Sequence, residues 1–205
     1  VVCDTVADFC AGERPVYMTS CGKDRFISGR ISDKESWYAL YDRCGRILSS
    51  VKSIDYESMN SNAAVSAMLS SKYTTDYDGA HLCVVNCASP TISFSSICDD
   101  QIMEYKRIQL KLMAGVSSHM RDAKSFFNGV CADNEHVYIL YSGKKLSDRT
   151  SPAYECSHLV VYDWNGNIKH HYVLNRPVRS ICLFGDCLYA VSGYPSGKLF
   201  RFYLK

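Results

Sequence analysis

Along most of this chain the apolar residues come in short runs, each stopped by Gly, Asp, Asn or Ser. Short runs with such boundaries are strand signals. A first group falls at 15–19, 25–29, 37–42 and 46–51, with Asp42-Arg43-Cys44-Gly45 turning between its last two members. A weaker second group falls at 72–75, 81–87, 91–98 and 101–109, with turns at Asp78-Gly79 and Asp99-Asp100. The third is the clearest: 127–132, 136–141, 158–164 and 167–174. Inside it, Asn165-Gly166 is the strongest hairpin signal in the chain, because both residue types accept the positive φ of a type I′ turn. A fourth group, at 178–184, 187–192 and 199–204, stops one strand short. One helix is predicted near 60–71, capped by Asn60 or Ser61, with Ala64, Ala67 and Met68 at helical spacing. A further helical turn is expected near 117–124.

The groups repeat. Their second strands begin near Arg25, His81, His136 and Cys187, a period of roughly 50 residues, and four-stranded units at such a period point to a propeller. The strands themselves give an independent argument. A sheet with one wet face alternates apolar and polar residues. Here the inner strands are apolar on both sides. Val137, Ile139 and Tyr141 oppose Tyr138 and Leu140; Leu159 and Val161 oppose Val160 and Tyr162; Leu188 and Ala190 oppose Tyr189 and Val191. An antiparallel sheet buried on both faces stands between two others, as blades around an axis do. A parallel α/β sheet would need a crossover helix, and the tight turns leave no room for one. The fold expected is all-β: one domain over 1–205, a β-propeller or part of one, with about four antiparallel blades and one short helix. The approximate blades are 14–52, 71–110, 126–175 and 177–205.

Composition refines this in a few places. The 15 Tyr suit pleated, half-buried strands. A net charge of +2 argues neither way on nucleic acid; the longest basic cluster, Lys144–Lys145 followed by Arg149, reads as a solvated loop, so no nucleic-acid partner is expected. The 11 Cys are odd in number and cannot all pair within the chain. Most lie in apolar runs such as Ser-Ile-Cys-Leu-Phe and Leu-Cys-Val-Val, where a free Cys packs as a small hydrophobe. They are expected to be reduced and mostly buried. No Cys-x-x-Cys occurs, and Cys83 and Cys87 have no second pair at metal spacing, so no structural zinc is expected. Unpaired thiols point to a reducing or anaerobic setting. No apolar run is long enough for a transmembrane helix. The chain begins at Val1 rather than Met. Its location reads as periplasm or cell envelope if a leader has been removed, and as cytoplasm otherwise.

Four pieces of the chain from Phe126 onward stand out: Tyr138-Ile139-Leu140-Tyr141-Ser142-Gly143, the run from Leu159 through Tyr162-Asp163-Trp164-Asn165-Gly166 to Asn167, Tyr172-Val173-Leu174, and Leu188-Tyr189-Ala190-Val191. On these residues the chain resembles the TolB-like six-bladed β-propeller family found among gut bacteria. The stretch from Tyr38 through Asp42 to Gly45, and Tyr77-Asp78-Gly79, fit more loosely. The resemblance implies six blades, and about four groups are present. A fragment, a four-bladed ring, or a strand supplied to the last group by residues 1–9 would each account for the difference. It implies a fold and brings no reaction with it.

Candidate chemistry is sparse. His170 and His171 are adjacent on a strand, so their rings point to opposite faces and cannot chelate one ion together. The Asp163 carboxylate is expected to accept N–H bonds from the Asn165-Gly166 turn rather than act as a base. Asp99 and Asp100 form a solvated hairpin tip. Asp76 and Asp78 lack the remainder of a calcium loop. Ser142-Gly143 lacks a nucleophile elbow, and no phosphate-binding glycine loop occurs. No catalytic, metal or cofactor residue is expected. The best contact surface is the long connection 144–157, with Lys144, Lys145, Arg149, Tyr154 and Glu155 suited to a protein, peptide or glycan. The first functional reading is a non-catalytic binding or scaffolding propeller. The alternatives are a hydrolase or lyase acting on a glycan or peptide in the channel, and a truncated paralogue with little independent function. An arc of blades would also leave open edges through which a homodimer could form.

Overall fold

The computed structural model describes residues 14–31, 36–54, 71–87, 89–110, 124–145, 155–193 and 197–204. These form four antiparallel meanders around a common axis, the arrangement of a β-propeller. The first sheet runs β1 (Arg14–Ser20), β2 (Arg25–Ile31), β3 (Ser36–Asp42) and β4 (Ile47–Ile54). The second runs β5 (Ser71–Thr75), β6 (His81–Asn86), β7 (Thr91–Cys98) and β8 (Gln101–Gln109). The third runs β9 (Lys124–Ala132), β10 (His136–Lys145), β11 (Cys156–Asp163) and β12 (Ile168–Val178). The fourth has three described strands, β13 (Ser180–Phe184), β14 (Cys187–Val191) and β15 (Leu199–Tyr203). The opening strands of consecutive sheets adjoin, β1 on β5, β5 on β9 and β9 on β13, so they line the axis. The closing strands β8 and β12 are largely exposed at the rim.

The two-faced apolar pattern explains the packing. Alternate residues of one strand enter different interfaces. Val137 and Ile139 of β10 pack with Cys83, Val85, Ile92 and Phe94 of the second sheet. Tyr138 and Leu140, between them, pack with Ile181, Leu188 and Ala190 of the fourth. A third cluster joins Ile27, Tyr38 and Leu40 to Tyr73, Leu82 and Val84. Each fully buried Leu or Ile contributes roughly 1.5–3 kcal/mol relative to leaving it in water. Among the described residues no such cluster joins the fourth sheet to the first. Register places Ser180, Val191 and Leu199 in one row of the fourth sheet's outward face, Cys182, Tyr189 and Arg201 in the next, and Phe184, Cys187 and Tyr203 in a third. Of these, Phe184 is 77% exposed, Leu199 70% and Tyr203 65%.

Three expectations change. The Asn165-Gly166 hairpin forms, but not as a type I′ turn: Gly166 has φ +69°, and the only described non-glycines with positive φ are Asp99 and Asp100. The turn spans four residues, with the Gly166 N–H on the Asp163 carbonyl at 2.8 Å, and a register shift follows in β11–β12. Asp163 caps it, which removes the need for a left-handed Asn165. The type I′ positions are Asp99 and Asp100 instead. Second, Lys144 and Lys145 are strand residues. After a shift at Ser142–Gly143, where Gly143 has φ +69°, β10 resumes pairing as Lys144↔Ser125 and Lys145↔Lys124. Third, the nine described Cys are free, but only Cys21, Cys83 and Cys156 are buried. Cys44 and Cys98 flank turns, and Cys182 is exposed because its apolar run lies on the outward face of the fourth sheet. Cys3 and Cys10, the predicted helix (except Ser71, which opens β5) and the turn near 117–124 (except Lys124, which opens β9) lie outside the described residues. Among the described residues no helix is long and apolar enough to cross a membrane.

Candidate functional site

The two ends of the blades differ in what their polar groups do. At one end lie the tight turns, where four carboxylates, those of Asp42, Asp76, Asp133 and Asp163, bond backbone N–H groups. Asp42 Oδ1 accepts the N–H groups of Cys44 and Arg46 at 2.8 and 2.9 Å. Asp76 Oδ1 accepts those of Ala80 and His81 at 2.8 and 3.1 Å, with Oδ2 2.8 Å from His81 Nδ1. Asp163 Oδ1 accepts that of Asn167 at 2.8 Å, and Lys169 lies 3.1 Å from Oδ2. The Asn167 N–H bond and the Lys169 charge lower Asp163 to about 2. Asp133 takes the Glu135 and His136 N–H groups on Oδ1 and the Tyr138 hydroxyl on Oδ2. Burial first, and then that bond, push the Tyr138 hydroxyl upward. These tips also lock blades together. Tyr105 donates to the Trp164 carbonyl, Lys106 Nζ to the Asn165 carbonyl at 2.7 Å, and Arg25 pairs with Asp100 at 3.2 Å. Asp163 thus accepts from Asn167, one residue beyond the expected Asn165-Gly166 donors, Asp100 bridges to the first sheet, and Asp76 binds the Ala80 and His81 N–H groups.

At the opposite end lie the strand ends that flank residues 55–70, 111–123 and 146–154. Here polar side chains are buried and bonded to each other near the axis. Asn86 donates from Nδ2 to Ser71 Oγ at 3.0 Å and accepts the Ser89 N–H at 2.9 Å. Ser125 Oγ donates to Asn128 Oδ1 at 2.8 Å, and Asn128 Nδ2 lies 3.4 Å from Cys156 Sγ. Ser71, Asn86, Ser125 and Ser142 are each less than a tenth exposed. Lys72 reaches over the Tyr17 ring at 4.8 Å. Burial raises the Cys87 thiol to about 12 against the opposing pull of Lys72, and raises Cys156 to about 11. Both are neutral thiols at physiological pH and poor nucleophiles. The cluster gathers donors and acceptors that bond chiefly to one another.

The predicted contact residues partly converge here. Lys144 donates from Nζ to the Glu155 carbonyl at 3.0 Å. The Glu155 carboxylate sits so close to Gly193 that a Cβ there would lie 2.6 Å from Oε1. Lys145 is exposed on β10, and Arg149 and Tyr154 lie outside the described residues. The Ser71–Asn86 and Ser125–Asn128 pairs were not singled out in the sequence. Their only signal was polar residues at the axial ends of otherwise apolar strands.

The histidines separate as expected. His170 faces the fourth sheet, in a groove of about 160 Å³ lined by His136, Tyr138, Val161, Tyr172 and Leu204. His171 faces the other way and meets His158, with His158 Nδ1 3.0 Å from His171 Nε2. The register Val160↔His171 and His158↔Val173, reached after a shift between Val161 and Tyr162, leaves the two histidines as diagonal neighbours. Among the described residues no group of three or more His, Cys, Asp or Glu side chains is placed to hold a metal ion.

Radial antiparallel sheets with a polar cluster at one axial end define a β-propeller. More particularly, residues 13–185 match the model of the family described as TolB-like 6-blade propeller-like, and the chain belongs to that family. The regucalcin of Agrobacterium tumefaciens, a calcium-binding protein, is similar in fold at 13% identity and TM-score 0.54, over 93% of this chain and 58% of that one. So is the Cps50 (Swd1) β-propeller domain of Myceliophteria thermophila, at 14% and 0.53, over 89% and 50%. The computationally designed Ika4 protein aligns over 100% of both chains at 10% identity and TM-score 0.52. The chain thus spans about half the length of the natural propellers compared. No curated protein sequence matches it.

Proposed function

We propose that this chain is a non-catalytic binding or scaffolding propeller that holds a protein, peptide or glycan at the end of its blades carrying the long connections. The observation that carries the reading is the division of labour between the ends. Asp42, Asp76, Asp133 and Asp163 at the turn end are committed to backbone, whereas at the loop end buried Ser and Asn side chains of the second and third sheets gather near Lys144 and Glu155. Propellers that bind through one end present long connections there on a rigid scaffold. A peptide and glycan array, followed by calorimetry, tests it. The triple variant Lys145→Glu, Arg149→Glu, Tyr154→Ala is expected to weaken the best ligand at least tenfold while its melting temperature stays within a few degrees. Unchanged affinity would overturn the placement of the site. Turnover of an array member would favour the hydrolase or lyase reading.

The exposed face of the fourth sheet supports a second contact, between copies of this chain. Phe184, Leu199 and Tyr203 are each more than 60% exposed there, and large apolar patches mark association surfaces. Light scattering at micromolar concentration is expected to show a dimer that Leu199→Glu dissociates; a monomer under those conditions would remove this reading.

A further inference from the structure

We propose that His158 and His171 form a two-imidazole site for a divalent late transition-metal ion of the nickel(II) or copper(II) type. The two residues sit on neighbouring antiparallel strands, where Val160↔His171 and His158↔Val173 place both rings on the same face of the third sheet. His158 Nδ1 and His171 Nε2 are 3.0 Å apart, with ring centroids separated by 5.2 Å and planes tilted by 31°. In the metal-free protein one imidazole N–H donates to the other ring nitrogen; on metal binding the donor ring carries its proton on its other nitrogen, so that both facing nitrogens present lone pairs.

The donor set selects the ion. The 3.0 Å separation is the length of an ordinary N–H···N hydrogen bond and does not itself choose a coordination geometry. Imidazole donors suit late transition-metal ions, and affinity rises toward nickel(II) and copper(II), whose square-planar and octahedral centres accept two cis imidazoles. The nitrogens now point head-on at each other. A modest rotation of both side chains aims their lone pairs at one point, and the pair is exposed enough to permit it. No carboxylate belongs to the site, so hard ions such as magnesium and calcium, which need oxygen ligands, are not held. Water completes the coordination, and affinity in the micromolar range is expected.

Nickel(II) is the better probe, because copper(II) would also oxidise the exposed thiols of Cys44, Cys98 and Cys182. Titration calorimetry on the full chain is expected to show one nickel ion per chain at pH 7.5. His158→Gln and His171→Gln should each weaken it at least tenfold. His170→Gln, on the opposite face, should leave it within twofold. Circular dichroism would confirm that the variants remain folded. Absence of binding at 1 mM (roughly a thousandfold above the expected constant), binding that survives either substitution, or equal dependence on His170 would each overturn the proposal.

Discussion

Strand β10 of the third sheet and strand β14 of the fourth carry the same alternation of apolar residues but find different surroundings. In β10 the odd residues Val137 and Ile139 and the even residues Tyr138 and Leu140 enter two separate cores. In β14 Leu188 and Ala190 are buried, whereas Val191 on the other side is 42% exposed. A two-faced apolar strand therefore states that a neighbour is wanted on each side; it does not supply the neighbour. The third sheet has the second and fourth beside it. The fourth has only the third among the described residues.

The comparison is sharpest in stability. Leu140→Ala and Leu188→Ala both open cavities in the core between these sheets, and each is expected to cost about 2–5 kcal/mol in urea unfolding. Leu199→Ala, on the outward face, should stay within about 0.5 kcal/mol when the chain is dilute enough that the proposed dimer is dissociated. A cost above about 2 kcal/mol at Leu199 in the dissociated chain would mean that this face is covered from within the chain and would erase the contrast.

A smaller effect is expected at two glycines. Gly79 has φ +69°, and a Cβ there would lie 2.5 Å from the Gly22 nitrogen, in the seam between the first two blades. Gly185, at the tip of the fourth sheet, has φ +56° and nothing within 4 Å of such a Cβ. Gly79→Ala therefore meets both left-handed backbone strain and a clash and should cost about 2–3 kcal/mol. Gly185→Ala meets only the first and should cost about 1 kcal/mol. Equal costs in thermal unfolding would show that the seam relaxes freely.

Much of this was legible because strand signals are local. The alternating apolar residues of 136–141 and 158–164 identify strands, and their having no polar side identifies radial stacking; both hold in the clusters around Ile139 and Leu140. What was not legible depends on geometry fixed at a distance. The Asn165-Gly166 turn took another form because the Asp163 carboxylate caps it. Lys144 and Lys145 joined β10 because Gly143 lets the strand bend and pair again with β9. Cys182 is exposed because of which face its sheet leaves open. The axial polar cluster joins Ser71 to Asn86 and Ser125 to Asn128, and only folding brings it to one end.

The smallest predicted effect concerns acid. Asp163 opens and caps the outer hairpin of the third blade, whereas the β13–β14 hairpin of the fourth sheet opens on Phe184 and carries its carboxylate, Asp186, after Gly185. The Asp163 carboxyl is lowered from 3.8 to about 2 by the Asn167 N–H groups and Lys169. A carboxylate with a depressed folded-state pKa stabilises the fold fully above its unfolded value, and that contribution is lost as pH falls through the folded value. Wild-type stability should therefore decline between about pH 4 and pH 2 partly through this group. Asp163→Asn lacks the titrating group, so its stability should be lower than wild type at pH 7 and should fall less steeply across that window. Asp42, lowered by the Arg46 and Cys44 contacts, should behave with the same sign in Asp42→Asn. Amide exchange monitored residue by residue locates the effect: protection at Asn167 should fall first in the acid titration, before the fourth-sheet amides change. An acid transition of identical slope in wild type and Asp163→Asn would mean that the cap contributes nothing to holding the third blade's edge.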